Sequence, residues 1–286
     1  MPNLHDLISD IESLFSSRST VEPSEADLQI FLDNVREAVT STFSRNNSLD
    51  EKRDKLRMSN IGKPDRQLWY EINRTDDEVE DLPYSLLIKF LYGSILEELL
   101  VLICKTAGHS VTDQQKEHNI LGVKGHQDAR VDDVVVDFKS ASGFSFKKFK
   151  DQTLFENDPF GYIGQLSAYA YANKVDKAAF IVIDKQSGEI AVMPVHGMEM
   201  INVEDRITNL KTSLEASEPP PKCYEAVPDG KSGNMKLAVG CQYCNFKLNC
   251  WQDANNGKGL RGFKYSNGIK YLTEVRQEPR VDEVFL

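Results

Sequence analysis

The chain lacks an apolar run long enough to cross a membrane. Its most apolar stretch, Ile95–Cys104, is interrupted by Glu97 and Glu98, far short of the roughly 20 residues a bilayer core requires. It also lacks a cationic excess: 34 basic side chains stand against 44 acidic ones, a net charge of −10. That balance excludes a protein that coats nucleic acid by charge alone, so any nucleic-acid site must be a local basic groove on an acidic body. The opening residues, MPNLHDLISD, have neither a basic head nor an apolar signal core, and neither export nor transit targeting is expected. No internal repeat is visible. Cysteine is scarce, with five in 286 residues. Without a secretory signal, such thiols point to a reducing compartment, the cytoplasm, where clustered cysteines serve metal or redox chemistry.

What is present is a globular composition, 40% hydrophobic and 27% charged. Residues 1–50 read as a helical arm. Leu4, Leu7, Ile8, Ile11, Leu14 and Phe15 recur at helical spacing, as do Leu28, Phe31, Leu32, Val35, Val39 and Phe43. A turn at Ser16–Pro23 separates them, and Ser24 with Asp27 forms a partial capping box. This acidic arm is either a partner-binding or gating element or a packing appendage. Residues 57–255 form the main body. A helix is expected over Pro83–Ala107, closed by Gly108, then strands over Asn119–Lys124, Gln127–Val131 and Val134–Ser140. A lysine-rich loop at Phe144–Lys150, a helix over Asp158–Asn173, strands over Ala178–Ile183 and Glu189–Val195, and a helix through Glu215 follow. Residues 256–286 hold a hairpin turning at Asn267–Gly268 and a tail. The fold class is α/β, a mixed central sheet flanked by helices.

The chemistry concentrates in Gly125–Lys139. If Asp132–Asp133 is a two-residue turn, Asp128 falls directly opposite Asp137 on one face of the sheet, and Lys139 lies two residues further on that face. Opposed carboxylates repel. A divalent cation such as Mg²⁺, which takes oxygen ligands from one or two carboxylates, removes the repulsion. The alternative is an acidic, solvent-facing hairpin edge, against which Val134, Val135, Val136 and Phe138 read as a buried strand. A third carboxylate comes from the preceding helix. There Ser94, Glu98 and Lys105 form a polar stripe, and Glu97 turns towards the apolar side, where an unpaired carboxylate is costly. Gly93, one turn earlier, would permit a close approach of backbone or substrate. The positive segment Lys147, Lys148 and Lys150 is a plausible phosphate track, or simply a solvated loop.

Gly93-x-x-x-Glu97, Gly125-x-x-Asp128, Asp137-x-Lys139 and Gln165-x-x-x-Tyr169, in this order, resemble the motifs of the PD-(D/E)XK nuclease superfamily. The Gln-x-x-x-Tyr is similar to that of the RecB-like branch, whose single-domain exonucleases serve CRISPR adaptation, mitochondrial DNA maintenance and many phages. The resemblance covers about residues 57–255. It implies a restriction-endonuclease-like core in which Glu97, Asp128, Asp137 and the Phe138 backbone carbonyl hold Mg²⁺ or Mn²⁺. Lys139 would orient the attacking water and stabilise charge on the phosphate. Gln165 and Tyr169, one turn apart on a helix, would grip a DNA strand, with the ring packing on a base. Many relatives carry histidine where Glu97 stands, and the carboxylate favours a harder, oxygen-bound cation.

Cys223, Cys241, Cys244 and Cys250 lie in one segment behind Pro219–Pro221. The spacing resembles the C-terminal [4Fe–4S] ligands of RecB-like nucleases, and four thiolates also suit structural zinc. Relatives draw a fourth cysteine from upstream. This chain has Lys63-Pro64-Asp65-Arg66 there, which makes Cys223 the substitute, and Cys104 reads as a buried apolar side chain. The expectation is a metal-dependent DNA exonuclease of a bacterial or phage-infected cell, acting on single-stranded or frayed ends. Its partner is DNA, with replication or recombination proteins met through the arm and no membrane. The rivals are an endonuclease with the same site and a non-catalytic DNA-end-binding iron–sulfur protein.

Overall fold

Val135, Val136, Asp137 and Phe138 are buried in succession, and Ala141 with them, the pattern of a strand covered on both faces, and the first sheet is built around it. The computed structural model describes residues 3–44, 55–73, 84–266 and 268–285. The helices are α1 (Leu7–Leu14), α2 (Glu25–Phe43), α3 (Asp65–Asn73), α4 (Tyr84–Thr106), α5 (Gly143–Lys150), α6 (Tyr162–Ala172) and α7 (Val203–Leu214). The strands are β1 (Val111–Thr112), β2 (Glu117–Ile120), β3 (Val123–His126), β4 (Ala129–Val131), β5 (Val134–Ala141), β6 (Lys177–Asp184) and β7 (Ile190–His196), then β8 (Val227–Pro228), β9 (Met235–Lys236), β10 (Arg261–Tyr265), β11 (Gly268–Glu274) and β12 (Glu283–Val284). The chain divides into two compact units, one of Met1–Gly62 with Arg74–Asn209, the other of Lys63–Asn73 with Leu210–Leu286.

In the first unit the sheet order is β1-β4-β5-β6-β7. Only β5 and β6 run parallel, joined by a crossover that carries α5 and α6; the other pairs are antiparallel. This is the mixed sheet flanked by helices that the sequence implies. Val136 and Phe138 point into a core shared with Leu100, Val101 and Cys104 of α4. The arm belongs to this core at its beginning. Leu4, Leu7 and Ile11 are buried among the same residues, and at about 1.5–3 kcal/mol for each buried aliphatic side chain they fasten α1 to the unit, as a packing element would be. α2 buries none of its side chains. It is tied to α4 by polar contacts, Lys105 to Asp27 at 3.0 Å and Asn34 to Glu98 at 2.8 Å. Residues 45–50 of the arm lie outside the described residues.

Two local expectations are corrected. The segment Asn119–Lys124 is not one strand. Leu121 and Gly122 both adopt positive φ and turn β2 back into β3, a separate hairpin. Phe144–Lys150 is a helix, not a loop, because Phe146 and Phe149, three residues apart, are both buried.

The second unit holds an antiparallel sheet of order β12-β10-β11-β9-β8 and a small core of Leu237, Cys241, Trp251, Ala254 and Leu260. β10 and β11 form the expected antiparallel pair, with Asn267 of the turn outside the described residues. No helix among the described residues is long and apolar enough to cross a membrane.

Candidate metal and phosphate site

Asp132 and Asp133 have φ of 47° and 65°, the left-handed pair that a two-residue hairpin turn demands. The register follows, with Val131 opposite Val134 and Ala129 opposite Val136. One step further out Asp128 meets Asp137, and its Oδ2 accepts the Phe138 N–H at 2.7 Å. Strand alternation sends Val136 and Phe138 into the core and Asp137 and Lys139 to the opposite face. The Lys139 ammonium contacts Asp137 Oδ2, lies 3.5 Å from Gln165 Oε1, and stands 5.2 Å from the centre of the Tyr162 ring. Asp137 is fully buried, and its Oδ1 has no hydrogen-bond partner among the described residues.

Glu97 completes the group from α4. Its Oε1 accepts from the Gln115 side chain at 2.9 Å, while Glu98 turns away to Asn34. Burial, and then the charges of Asp137 and Glu98, push the Glu97 carboxyl up to about 7. Burial followed by Asp137 and Glu97 raises Asp128, and burial raises Asp137. Burial works against the Lys139 charge, but Asp137 and Asp128 outweigh it and hold the ammonium protonated. Asp137, buried and with an unpartnered oxygen, raises both Glu97 and Asp128, and such a group of buried carboxyls is costly without a cation. The donor set therefore fits Mg²⁺ or Mn²⁺. Among the described residues no three such side chains already stand at ligand distance from one point.

Gly125 is needed here by packing. A Cβ at this position would lie 2.6 Å from Met58 Cβ and 3.1 Å from the Tyr169 hydroxyl. At Gly93 nothing among the described residues lies within 4 Å of the Cβ it lacks, so no backbone makes the close approach expected there. The ring of Tyr169 is also corrected. It is 1% exposed and offers no face on which a base could stack; its hydroxyl instead interacts with Gln165. Gln165 remains half-buried beside Lys139. Of the three expected phosphate lysines, Lys150 is paired with Glu189 at 2.5 Å and Lys147 is exposed. Lys148 alone lines a cleft with Lys139.

In the second unit Cys223, Cys241, Cys244 and Cys250 line one small pocket. Burial raises Cys223 and pushes the Cys241 and Cys244 thiols up to about 11, the opposite of the low value a reactive redox thiol requires. Each thiol nevertheless meets an N–H donor. Arg66 Nε reaches Cys250 Sγ at 3.1 Å, and the Trp251 indole, otherwise unpartnered, faces Cys241. Backbone amides of Arg66 and Gln67, at the start of α3, address Cys223, and that of Phe246 addresses Cys244. Donors near sulfur favour the thiolate form, but among the described residues no three of these side chains stand together closely enough to hold a metal ion. The sequence carried no signal for Arg66 or Trp251 in this role. Cys104 lies elsewhere, fully buried in α4, its thiol pushed up to about 12 by burial.

No family model matches the sequence, and no curated protein is similar to it. Solved structures of similar fold include a phage-related exonuclease from Haemophilus somnus. It is 15% identical, with 59% of this chain and 95% of that one covered and a TM-score of 0.38. The alkaline exonuclease LHK-Exo from Laribacter hongkongensis is 13% identical, with 58% and 92% covered and a TM-score of 0.36. Its complex with dAMP gives the same identity, 58% and 90% covered, and a TM-score of 0.39. At these identities and TM-scores nothing about the chemistry of this chain is carried over from them.

Proposed function

We propose that this chain is a Mg²⁺- or Mn²⁺-dependent deoxyribonuclease of the PD-(D/E)XK type, an exonuclease acting on single-stranded or frayed DNA ends. The observation that carries the reading is the fully buried Asp137, opposed to Asp128, with an unpartnered oxygen and Lys139 against its other one. Glu97, Asp128 and Asp137 would hold the cation. The Phe138 carbonyl would join them, since it shares a strand edge with the amide that bonds Asp128. When bound, the cation lowers the pKa of a coordinated water and neutralises phosphoryl oxygens. Lys139, held protonated, orients that water and stabilises charge on the phosphate. Gln165 positions the Lys139 ammonium through its carbonyl and presents its amide to the strand. The four cysteines would hold a [4Fe–4S] cluster, with zinc as the alternative. Five free thiols suit the reducing cytoplasm of a bacterial or phage-infected cell.

Asp137→Asn removes a ligand charge and relieves the carboxylate clash. It should abolish cleavage of end-labelled DNA in Mg²⁺ or Mn²⁺ while leaving the fold intact by circular dichroism. Cleavage at the unaltered rate would refute the assignment. Circular single strands left uncut by the unaltered chain identify an exonuclease; cutting them identifies an endonuclease with the same site.

A further inference from the structure

The parallel strands β5 and β6 end side by side, Ala141 opposite Asp184, and a cleft of about 630 Å³ opens beyond their carboxyl ends. Crevices at the carboxyl ends of strands in open α/β sheets are where ligands bind. Its lining contains three lysines, Lys139, Lys148 and Lys185, and no aspartate or glutamate, on a chain whose net charge is −10. Lys139 is the ammonium of the metal site. Lys148 is bonded to a neutral group, the Asn157 carbonyl at 2.8 Å. Lys185 is exposed, and its backbone is fixed by an N–H bond to the Ala141 carbonyl at 2.9 Å. Ser142 and Ser145, at the amino end of α5, have hydroxyls without partners among the described residues.

The same lining includes aromatic side chains. Phe160 is 46% exposed and stacks on Tyr162, with ring centres 5.5 Å apart and planes at 30°. Tyr162 in turn carries the Lys139 ammonium over its ring. The turn that presents Phe160 is held rigidly. Asp158 accepts the N–H groups of Gly161 at 3.0 Å and Ile163 at 2.8 Å, and Gly161, at φ 75°, abuts the backbone of Gly62. An exposed ring on a turn held by hydrogen bonds, lining the same cleft as cationic and hydroxyl groups, matches the two halves of a nucleotide, base and phosphate.

The geometry points to a nucleotide subsite next to the scissile phosphate, in which Phe160 stacks on one unpaired base while Lys148, Lys185, Ser142 and Ser145 hold its phosphate. This deepens the nuclease reading and rests on it. A base sandwiched against Phe160 cannot remain stacked in a duplex, so this residue selects single-stranded or frayed ends. Stacking tolerates any base, so the subsite confers strand state and no sequence preference.

The test uses the full chain carrying Asp137→Asn, with binding of a single-stranded oligonucleotide and of a blunt duplex of the same sequence measured by fluorescence anisotropy without metal. Adding Phe160→Ala should weaken single-strand binding by roughly tenfold or more and leave duplex binding unchanged. Adding Lys185→Ala should reduce the dependence of binding on salt by about one phosphate contact. Phe160 and Lys185 are exposed, so both variants should fold. If Phe160→Ala alters neither affinity, or both equally, the subsite is refuted. Cleavage by the unaltered chain reports separately on the nuclease reading: a chain that cuts DNA but ignores Phe160→Ala retains that reading and loses the subsite, whereas one that neither binds nor cuts DNA loses both.

Discussion

Glu97 and Glu98 are neighbours in sequence with opposite environments. Glu98 is spent on Asn34 of α2, whereas Glu97 faces Asp137 and has its carboxyl pushed up to about 7 from an ordinary 4.5, first by burial and then by that charge. The sign of the consequence follows from proton counting. Between those two values the folded, metal-free chain keeps a proton that the unfolded chain has lost, so stability falls as pH rises through the window. Glu97→Gln should flatten that slope in urea denaturation compared at about pH 5 and about pH 8 with a chelator present. Mn²⁺, which needs the ionised carboxyls, should stabilise the unaltered chain more at the higher pH. An equal slope in both proteins would show that Glu97 does not carry this proton.

Among the elements, the turn before α6 does the most to shape the site. It places Tyr162 beside Lys139 and Phe160 in the cleft, and it turns on Gly161 at φ 75°, whose missing Cβ would overlap the backbone of Gly62. Gly161→Ala meets both a left-handed backbone and a main-chain clash that no rotamer relieves. It should cost roughly 2 kcal/mol or more of stability, seen as a lower denaturant midpoint. Gly188→Ala, also at positive φ but with open space around it, should cost only the backbone part, about 1 kcal/mol. Equal losses would mean that contact with Gly62 does not constrain the turn.

At the scale of the molecule, the two units differ in what holds them. The first has a sheet covered by α1 and α4 on one face and by α5 and α6 on the other. The second is small, with a modest core, and joins α3 to the C-terminal segment around four thiols; Arg66 bridges Cys250 Sγ and the Pro220 carbonyl. Small units with little core rely on staples. Protein purified without oxygen should be brown, absorbing near roughly 400 nm, a colour zinc cannot give. Cys223→Ser should bleach that colour and make the second unit susceptible to proteolysis, and Cys104→Ser should keep it. The reverse pattern would make Cys104 the fourth ligand, and colourless protein with bound zinc would replace the cluster.

How much of this was legible in the sequence depends on the range of the interaction. Asp132–Asp133 sets the register of β4 against β5 by local turn geometry, and strict alternation along the strand then places Asp128, Asp137 and Lys139, so those three and the mixed α/β class could be read directly. The choice of Glu97 over Glu98 followed from helical phase. Tyr169 could not be read, because one turn of a helix looks the same whether it faces a cleft or a core; its burial, with Gly125 close to its hydroxyl and His118 beside its ring, is decided by tertiary packing. Phe146 and Phe149 made a helix of an apparent loop by docking, which the lysines between them concealed. Phe160 and Lys185 line one cleft, and Arg66 and Trp251 another, each assembled from segments distant in sequence. Local periodicity is short-ranged and written in sequence; which faces meet is decided only when the chain closes on itself.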